Sequence, residues 1–69
     1  MDIKVFLRDL NGKRYCLSFQ NESDFNEFDW SDYDVDNYEI LMVTWGEHCI
    51  YNSLSYKRLY FEDLIGFFA

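Results

Sequence analysis

The feature that most constrains this chain is the segment 21–39, NESDFNEFDWSDYDVDNYE, which we call the acidic segment. It holds eight of the thirteen acidic residues and neither lysine nor arginine. An acidic run without apolar residues is typical of a disordered, solvated tail. Here apolar residues are interleaved with the carboxylates, so the pattern predicts a folded segment that holds its charges in fixed positions. These apolar residues are Phe25, Phe28, Trp30, Tyr33, Val35 and Tyr38.

The charge of the chain restricts its partners. No basic residue occurs between Arg14 and Lys57, and the formal net charge is −7. Electrostatically driven binding to DNA, RNA or an anionic membrane requires the opposite sign of charge. The sequence therefore predicts a protein partner with basic character, no direct contact with nucleic acid and no membrane binding.

The length and the cysteine content bound the fold. A chain of 69 residues predicts one domain, 1–69, which buries only about 60% of its unfolded surface. Cys16 and Cys49 are too few for the disulfide framework of a small secreted domain, so we expect two buried thiols in a reducing cytosol. One bridge between two strands is the alternative. The sequence has no signal-peptide pattern and no apolar run of about 18 residues, so we expect a soluble, intracellular protein.

The first part of the chain predicts a β-hairpin over 2–20. Apolar residues alternate along two runs, and Asn11-Gly12 between them favours a type I′ turn. The alternating residues are Ile3, Val5 and Leu7, then Tyr15, Leu17 and Phe19.

The rest of the chain predicts a ββαββα order, an α+β domain in which one or two short helices pack on an antiparallel sheet. We expect a helix over 23–30, extended chain over 31–37, a central strand over 38–45 buried on both faces, a turn at Gly46-Glu47 and a strand over 48–52. Residues 56–60 fit either a fifth strand or the start of the last helix. That helix is indicated by an amphipathic stripe of Phe61, Leu64, Ile65 and Phe68.

Metal binding and catalysis are not supported by the sequence. Asp32, Asp34 and Asp36 resemble the start of a calcium-binding EF-hand loop, but Asn37 and Val43 stand where that loop needs glycine and glutamate. His48 and Cys49 are adjacent on a strand, so their side chains point to opposite faces and disfavour a zinc site with Cys16. No single carboxylate is distinguished as a catalytic acid or base. We therefore expect no cofactor, no metal and no enzymatic activity.

The acidic segment is the expected partner-binding site. Tyrosine and tryptophan are frequent anchors of protein interfaces, and we expect Trp30 and Tyr33 to be exposed among the acids. If 31–37 is extended, its alternate aspartates form a row at about 6.6 Å intervals, near twice the phosphate rise of DNA. If it is helical, Asp29, Asp32 and Asp36 share a face. The predicted binding residues are Glu22, Asp24, Glu27, Asp29, Trp30, Asp32, Tyr33, Asp34, Asp36 and Glu39.

In its small size, its acidity, its aromatic content and its lack of proline, the chain resembles the DNA-mimicking inhibitors encoded by phages and mobile elements. These include anti-CRISPR proteins, anti-restriction proteins and uracil-DNA glycosylase inhibitors. The resemblance implies stoichiometric binding to the DNA-binding cleft of a basic host enzyme or effector complex, in the host cytoplasm. Among these families we favour an anti-CRISPR protein, acting as a monomer or a dimer. The alternatives are an immunity protein that neutralises a basic nuclease toxin and an acidic protein-interaction module.

Overall fold

The structure, a computed structural model, describes residues 1–33, 36–54 and 61–64, with the backbone alone for residues 61 and 62. These described residues form four strands, one α-helix and two 3₁₀ helices. The strands are β1 (Ile3–Asp9), β2 (Arg14–Phe19), β3 (Tyr38–Trp45) and β4 (His48–Asn52); the helix α1 is Glu22–Glu27, and the 3₁₀ helices are Trp30–Asp32 and Phe61–Leu64.

The strands form one antiparallel sheet in the order β2-β1-β3-β4. The two predicted hairpins are therefore present, and they join through the pairing of β1 with β3. The described residues form a four-stranded antiparallel sheet with one short helix, which agrees with a mixed α+β domain. Of the predicted C-terminal helix, residues 61–64 form a 3₁₀ helix and Leu64 is buried. Residues 55–60 and 65–69 lie outside the described residues, so the predictions for them have no counterpart here.

The turn between β1 and β2 differs from the predicted type I′ turn. Of its residues only Gly12 has a positive φ, 84°, whereas a type I′ turn requires this of Asn11 as well. The reason is the carboxylate of Asp9, whose Oδ1 accepts hydrogen bonds from the backbone N–H groups of Asn11 and Lys13, each at 2.9 Å. These bonds stabilise a longer loop that closes with a bulge at Gly12.

The core lies on one face of the sheet, which we call the inner face. Ile3, Val5 and Leu7 of β1 point to it and are fully buried. In the register of the sheet Val5 is opposite Val43, and Leu7 is opposite Ile40. Among the residues that the structure describes, the buried ones are Ile3, Val5, Leu7, Phe19, Phe25, Trp30, Ile40, Val43, Tyr51 and Leu64.

Strand β3 is central, as predicted, but its expected burial on both faces is wrong. Only Ile40 and Val43 are buried, and Met42, opposite Phe6, is half-buried on the other face, the outer face. Two residues three apart share the inner face because the register shifts between Phe6 and Leu7. This β-bulge explains why the apolar run is continuous although one face alone is fully covered.

The prediction of buried or bridged cysteines is also wrong. Cys16 and Cys49 are both free and exposed. They lie on β2 and β4, the two outermost strands, with β1 and β3 between them. Three strand spacings separate these strands by roughly 14 Å, too far for a disulfide. Within the described ranges, no helix is long and apolar enough to cross a bilayer.

The one-sided burial of β3 gives a test with a matched control. Val43 is 1% exposed, so Val43→Asp places an unpaired charge in the core, and we expect it to unfold so small a domain. Met42→Asp makes the same chemical change on the adjacent residue, which points to the outer face, and we expect that variant to fold. Circular dichroism and thermal unfolding measure both. Equal stability of the two variants would contradict the assignment of the faces.

Candidate functional site

The acidic segment is attached to the sheet by an aromatic cluster, which consists of Tyr15, Phe19, Phe25, Phe28, Trp30, Tyr33 and Tyr38. Phe19, at the end of β2, is in ring contact with Phe25 at 5.3 Å and with Phe28 at 5.1 Å between centroids. Phe28 is in turn in ring contact with Trp30, at 4.7 Å between centroids. These three pairs are edge-to-face. The contacts then pass from Tyr33 to Tyr38 at 5.2 Å, which returns the chain to β3. Such pairs add about 0.5–1.5 kcal/mol each beyond the area that they bury.

Side-chain caps fix the local geometry of the same segment. Asn21 caps α1, and its Oδ1 accepts a hydrogen bond from the backbone N–H of Asp24 at 2.9 Å. Asp29 caps the following 3₁₀ helix, and its Oδ1 accepts from the N–H of Ser31 at 3.0 Å. Both caps satisfy N–H groups that a helix start leaves without a partner. Caps and rings together confirm the predicted folded segment over its described residues.

The carboxylates of the segment divide into two groups. Asp24, Glu27, Asp29, Asp32 and Asp36 are exposed. Asp34 lies outside the described residues, as does Val35.

The second group consists of Glu22 and Glu39, which are half-buried and contact side chains of the sheet. Glu22 accepts a hydrogen bond from the indole Nε1–H of Trp45 at 2.8 Å, and so ties α1 to β3. Glu39 forms an ion pair with Arg8 across the β1–β3 pairing, with the two side chains 42% and 43% exposed. Both glutamates therefore have a structural contact in addition to any role in binding.

The predicted rows of aspartates are not formed by the described residues. Asp32 ends a 3₁₀ helix that begins at Trp30, so the chain is not extended there, and Asp36 lies in a turn. A helical row through Asp29, Asp32 and Asp36 is absent too, because Tyr33 already leaves the helical conformation. The exposed carboxylates that the structure describes, which we call the acidic patch, lie on several backbone conformations and do not form a ladder with phosphate spacing.

The interpretation of Trp30 as an exposed anchor is wrong. Trp30 is 8% exposed and belongs to the core. Helix α1 ends at Glu27, three residues before the predicted end, and Phe28 is extended, with φ −64° and ψ 137°. The chain therefore changes direction and carries Trp30 inward against Phe25, at 5.9 Å between ring centroids. Tyr33 is half-buried, and so are Tyr15, Phe28 and Trp45, all four of which pack against the core.

Hydrogen bonds lower the pKa of three carboxyl groups. The pKa of Glu22 lies below its usual value because of its own backbone N–H and the indole of Trp45. That of Asp29 is lowered by the N–H and the hydroxyl of Ser31. For Asp9, desolvation raises the pKa, but the N–H groups of Lys13 and Asn11 and the hydroxyl of Tyr15 outweigh it, so the pKa is lowered. All three groups are held in their ionised form.

A groove that the sequence did not indicate lies between the β1–β2 loop and the end of the acidic segment. Its volume is about 630 Å³. The residues that line it include Asp9, Asp36 and Glu39, together with Arg8 and Tyr38. Among the described residues, no three His, Cys, Asp or Glu side chains are placed to hold a metal ion.

No protein-family model, curated protein or solved structure matches this chain.

The bond between Trp45 and Glu22 predicts a measurable titration shift. Trp45→Phe removes the Nε1–H donor and keeps an aromatic ring, so we expect the pKa of Glu22 to rise towards its ordinary value of 4.5. Because the folded-state pKa is the lower one, this bond contributes stability above pH 4.5 that is lost as the pH falls through the folded value. NMR titration of the side-chain carboxyl carbons measures the shift. Asp29 is the internal control, since its partner is Ser31; equal shifts at both sites, or none at Glu22, would contradict the contact.

Proposed function

We propose that this protein is a stoichiometric inhibitor, an anti-CRISPR protein that mimics DNA and blocks target-DNA binding by a nucleic-acid-binding effector. The observation that carries the proposal is the set of five exposed carboxylates on a segment held in place by buried rings. A DNA-binding cleft is lined by lysine and arginine, and a fixed acidic patch is complementary to it. The proposed inhibitor needs neither a cofactor nor catalysis, and it meets its target in the host cytoplasm.

The segregation of charge along the chain supports this direction of binding. Lys4, Arg8, Lys13 and Arg14 all lie within residues 1–20, on and around the first hairpin. Residues 15–56 contain nine acids and no lysine or arginine. A protein with such an asymmetric field orients in the field of a cationic partner, so the acidic segment leads the approach. Steering of this kind raises association rates and weakens with added salt.

Tyrosines take the anchoring role that Trp30 does not fill. Tyr33 and Tyr38 are half-buried, so each packs in the aromatic cluster and keeps part of its ring at the surface. Tyr33 directly follows Asp32, and Tyr38 is two residues after Asp36. In such complexes a desolvated ring usually supplies most of the binding energy, and the charges around it mainly steer the association of the partners.

Neutralising part of the patch tests the proposed surface against a charge-matched control. Asp32→Asn with Asp36→Asn changes the net charge from −7 to −5, and so does Asp2→Asn with Glu47→Gln at exposed positions outside the segment. We expect the first pair of substitutions to slow association with the target and to reduce its salt dependence. The control pair should have a much smaller effect. Stopped-flow or surface-plasmon kinetics at two salt concentrations measure both.

The target assay is a gel shift with guide-loaded CRISPR effectors of several types and their target DNA, varying the order of addition. Mimicry predicts that inhibition saturates at a fixed ratio of inhibitor to effector and is weaker when DNA is added first. A stable ternary complex of effector, DNA and this protein would contradict mimicry. Inhibition of a basic nuclease toxin, with no effect on any effector, would replace the proposal by the immunity protein.

A further inference from the structure

The two edges of the sheet are built differently. At one edge β4 has five residues and a register shift against β3 between Val43 and Thr44. At the other edge β2 has six residues, and its register with β1 runs unbroken from Ile3–Phe19 to Arg8–Arg14. Proteins usually blunt a free edge with proline, a bulge or inward-pointing charge. The chain has no proline, and β2, described over its whole length, has no bulge either. Within the described ranges, no strand lies beyond β2.

The hydrogen-bond pattern shows which groups β2 offers at this edge. The backbone N–H of Asp9 donates a hydrogen bond to the carbonyl of Lys13, at 2.9 Å. The carbonyl of Asp9 accepts one from the N–H of Gly12, at 3.1 Å. Hydrogen-bonded pairs alternate along an antiparallel ladder, so Tyr15 and Leu17 bond to β1. The N–H and C=O groups of the residues between and beside them point away from β1. These residues are Arg14, Cys16 and Ser18.

We propose that β2 is a self-association surface, at which a second copy of this chain adds its own β2 in antiparallel orientation to form one continuous sheet. The pairing has two-fold symmetry and is centred on Cys16. In this register Arg14 is opposite Ser18 of the second copy, and all three outward-facing residues find hydrogen-bond partners. A register centred on Leu17 would instead place Arg14 opposite Gln20 of the second copy, beyond the end of β2. This inference is independent of the proposed inhibitory function.

The side chains of β2 suit a second copy of the same strand. On the inner face Tyr15 is opposite Leu17 of the second copy, and both residues are half-buried in the single chain, packed against its core. The pairing would cover their exposed parts. On the outer face it places no like charges opposite each other across the dimer interface. Residues 1–20, which include β2, hold four basic and two acidic residues, a balance of +2, and the acidic helix α1 packs beside this strand.

Site-specific cross-linking tests the edge. Cys16 and Cys49 are both exposed, but they lie on opposite edges, so each serves as the control for the other. Cys49→Ser leaves Cys16 alone, and a short bis-maleimide should then give a covalent dimer in good yield. Cys16→Ser leaves Cys49 alone, and we expect little dimer. Equal yields from the two variants would overturn the proposal.

Charge substitution at Ser18 tests the register. Ser18 is exposed on the outer face. In the dimer it lies opposite Arg14 of the second copy, and the two-fold symmetry gives two such pairs. Ser18→Glu should tighten association and Ser18→Arg should weaken it, each by roughly two- to thirty-fold for two cross-strand pairs. Arg14→Glu combined with Ser18→Arg should restore it. Sedimentation velocity over a concentration series measures the dissociation constant, and circular dichroism shows that each variant folds.

Lys4 is the neighbour of Ser18 on β1, so these substitutions also change the stability of the single chain. That effect is separated by measuring association well below the unfolding temperature of every variant. The proposal would be overturned if sedimentation showed a monomer at every concentration. It would also be overturned if the dissociation constant did not depend on the sign of the charge at residue 18.

Discussion

The packing of the aromatic cluster against the inner face of the sheet is the interaction on which the rest of this structure depends. Helix α1 has six residues, far fewer than an isolated helix needs in water. A chain of 69 residues with a net charge of −7 also opposes its own compaction. Phe25 and Trp30 are buried against Phe19, and this burial supplies the favourable free energy that the acidic segment lacks in its own backbone.

The same packing determines what the acidic segment presents to solvent. With the rings directed inward, the carboxylates of Asp24, Glu27 and Asp32 are left at the surface. Glu22 and Glu39 instead connect the segment to the sheet, through Trp45 and Arg8. The proposed binding surface is thus part of the fold and not an appended tail. Association would therefore not have to order it, which keeps the entropic cost of binding low.

Strand alternation made the first hairpin predictable, because a period of two residues is a local property of sequence, and the burial of Ile3, Val5 and Leu7 follows from it. The bounds of β4 follow instead from the turn at Gly46-Glu47, which is also a local signal. The features that were predicted wrongly depend on contacts with residues outside the local sequence pattern. The Asn11-Gly12 turn depends on the carboxylate of Asp9, and the faces of β3 depend on a bulge against β1. Trp30 is buried because α1 ends at Glu27, and no proline or glycine marks that end. The bond from Trp45 to Glu22 joins residues 23 positions apart, and no local pattern encodes it.

Backbone ¹⁵N relaxation of the amides in residues 22–33 tests the central claim, that buried rings hold the exposed carboxylates in fixed positions. Order parameters of about 0.85, equal to those of β1, are the predicted result. They would show that the acidic patch is as rigid as the sheet that carries it. Order parameters below about 0.6 over these residues would contradict the account, because a mobile segment cannot present charges in a fixed arrangement.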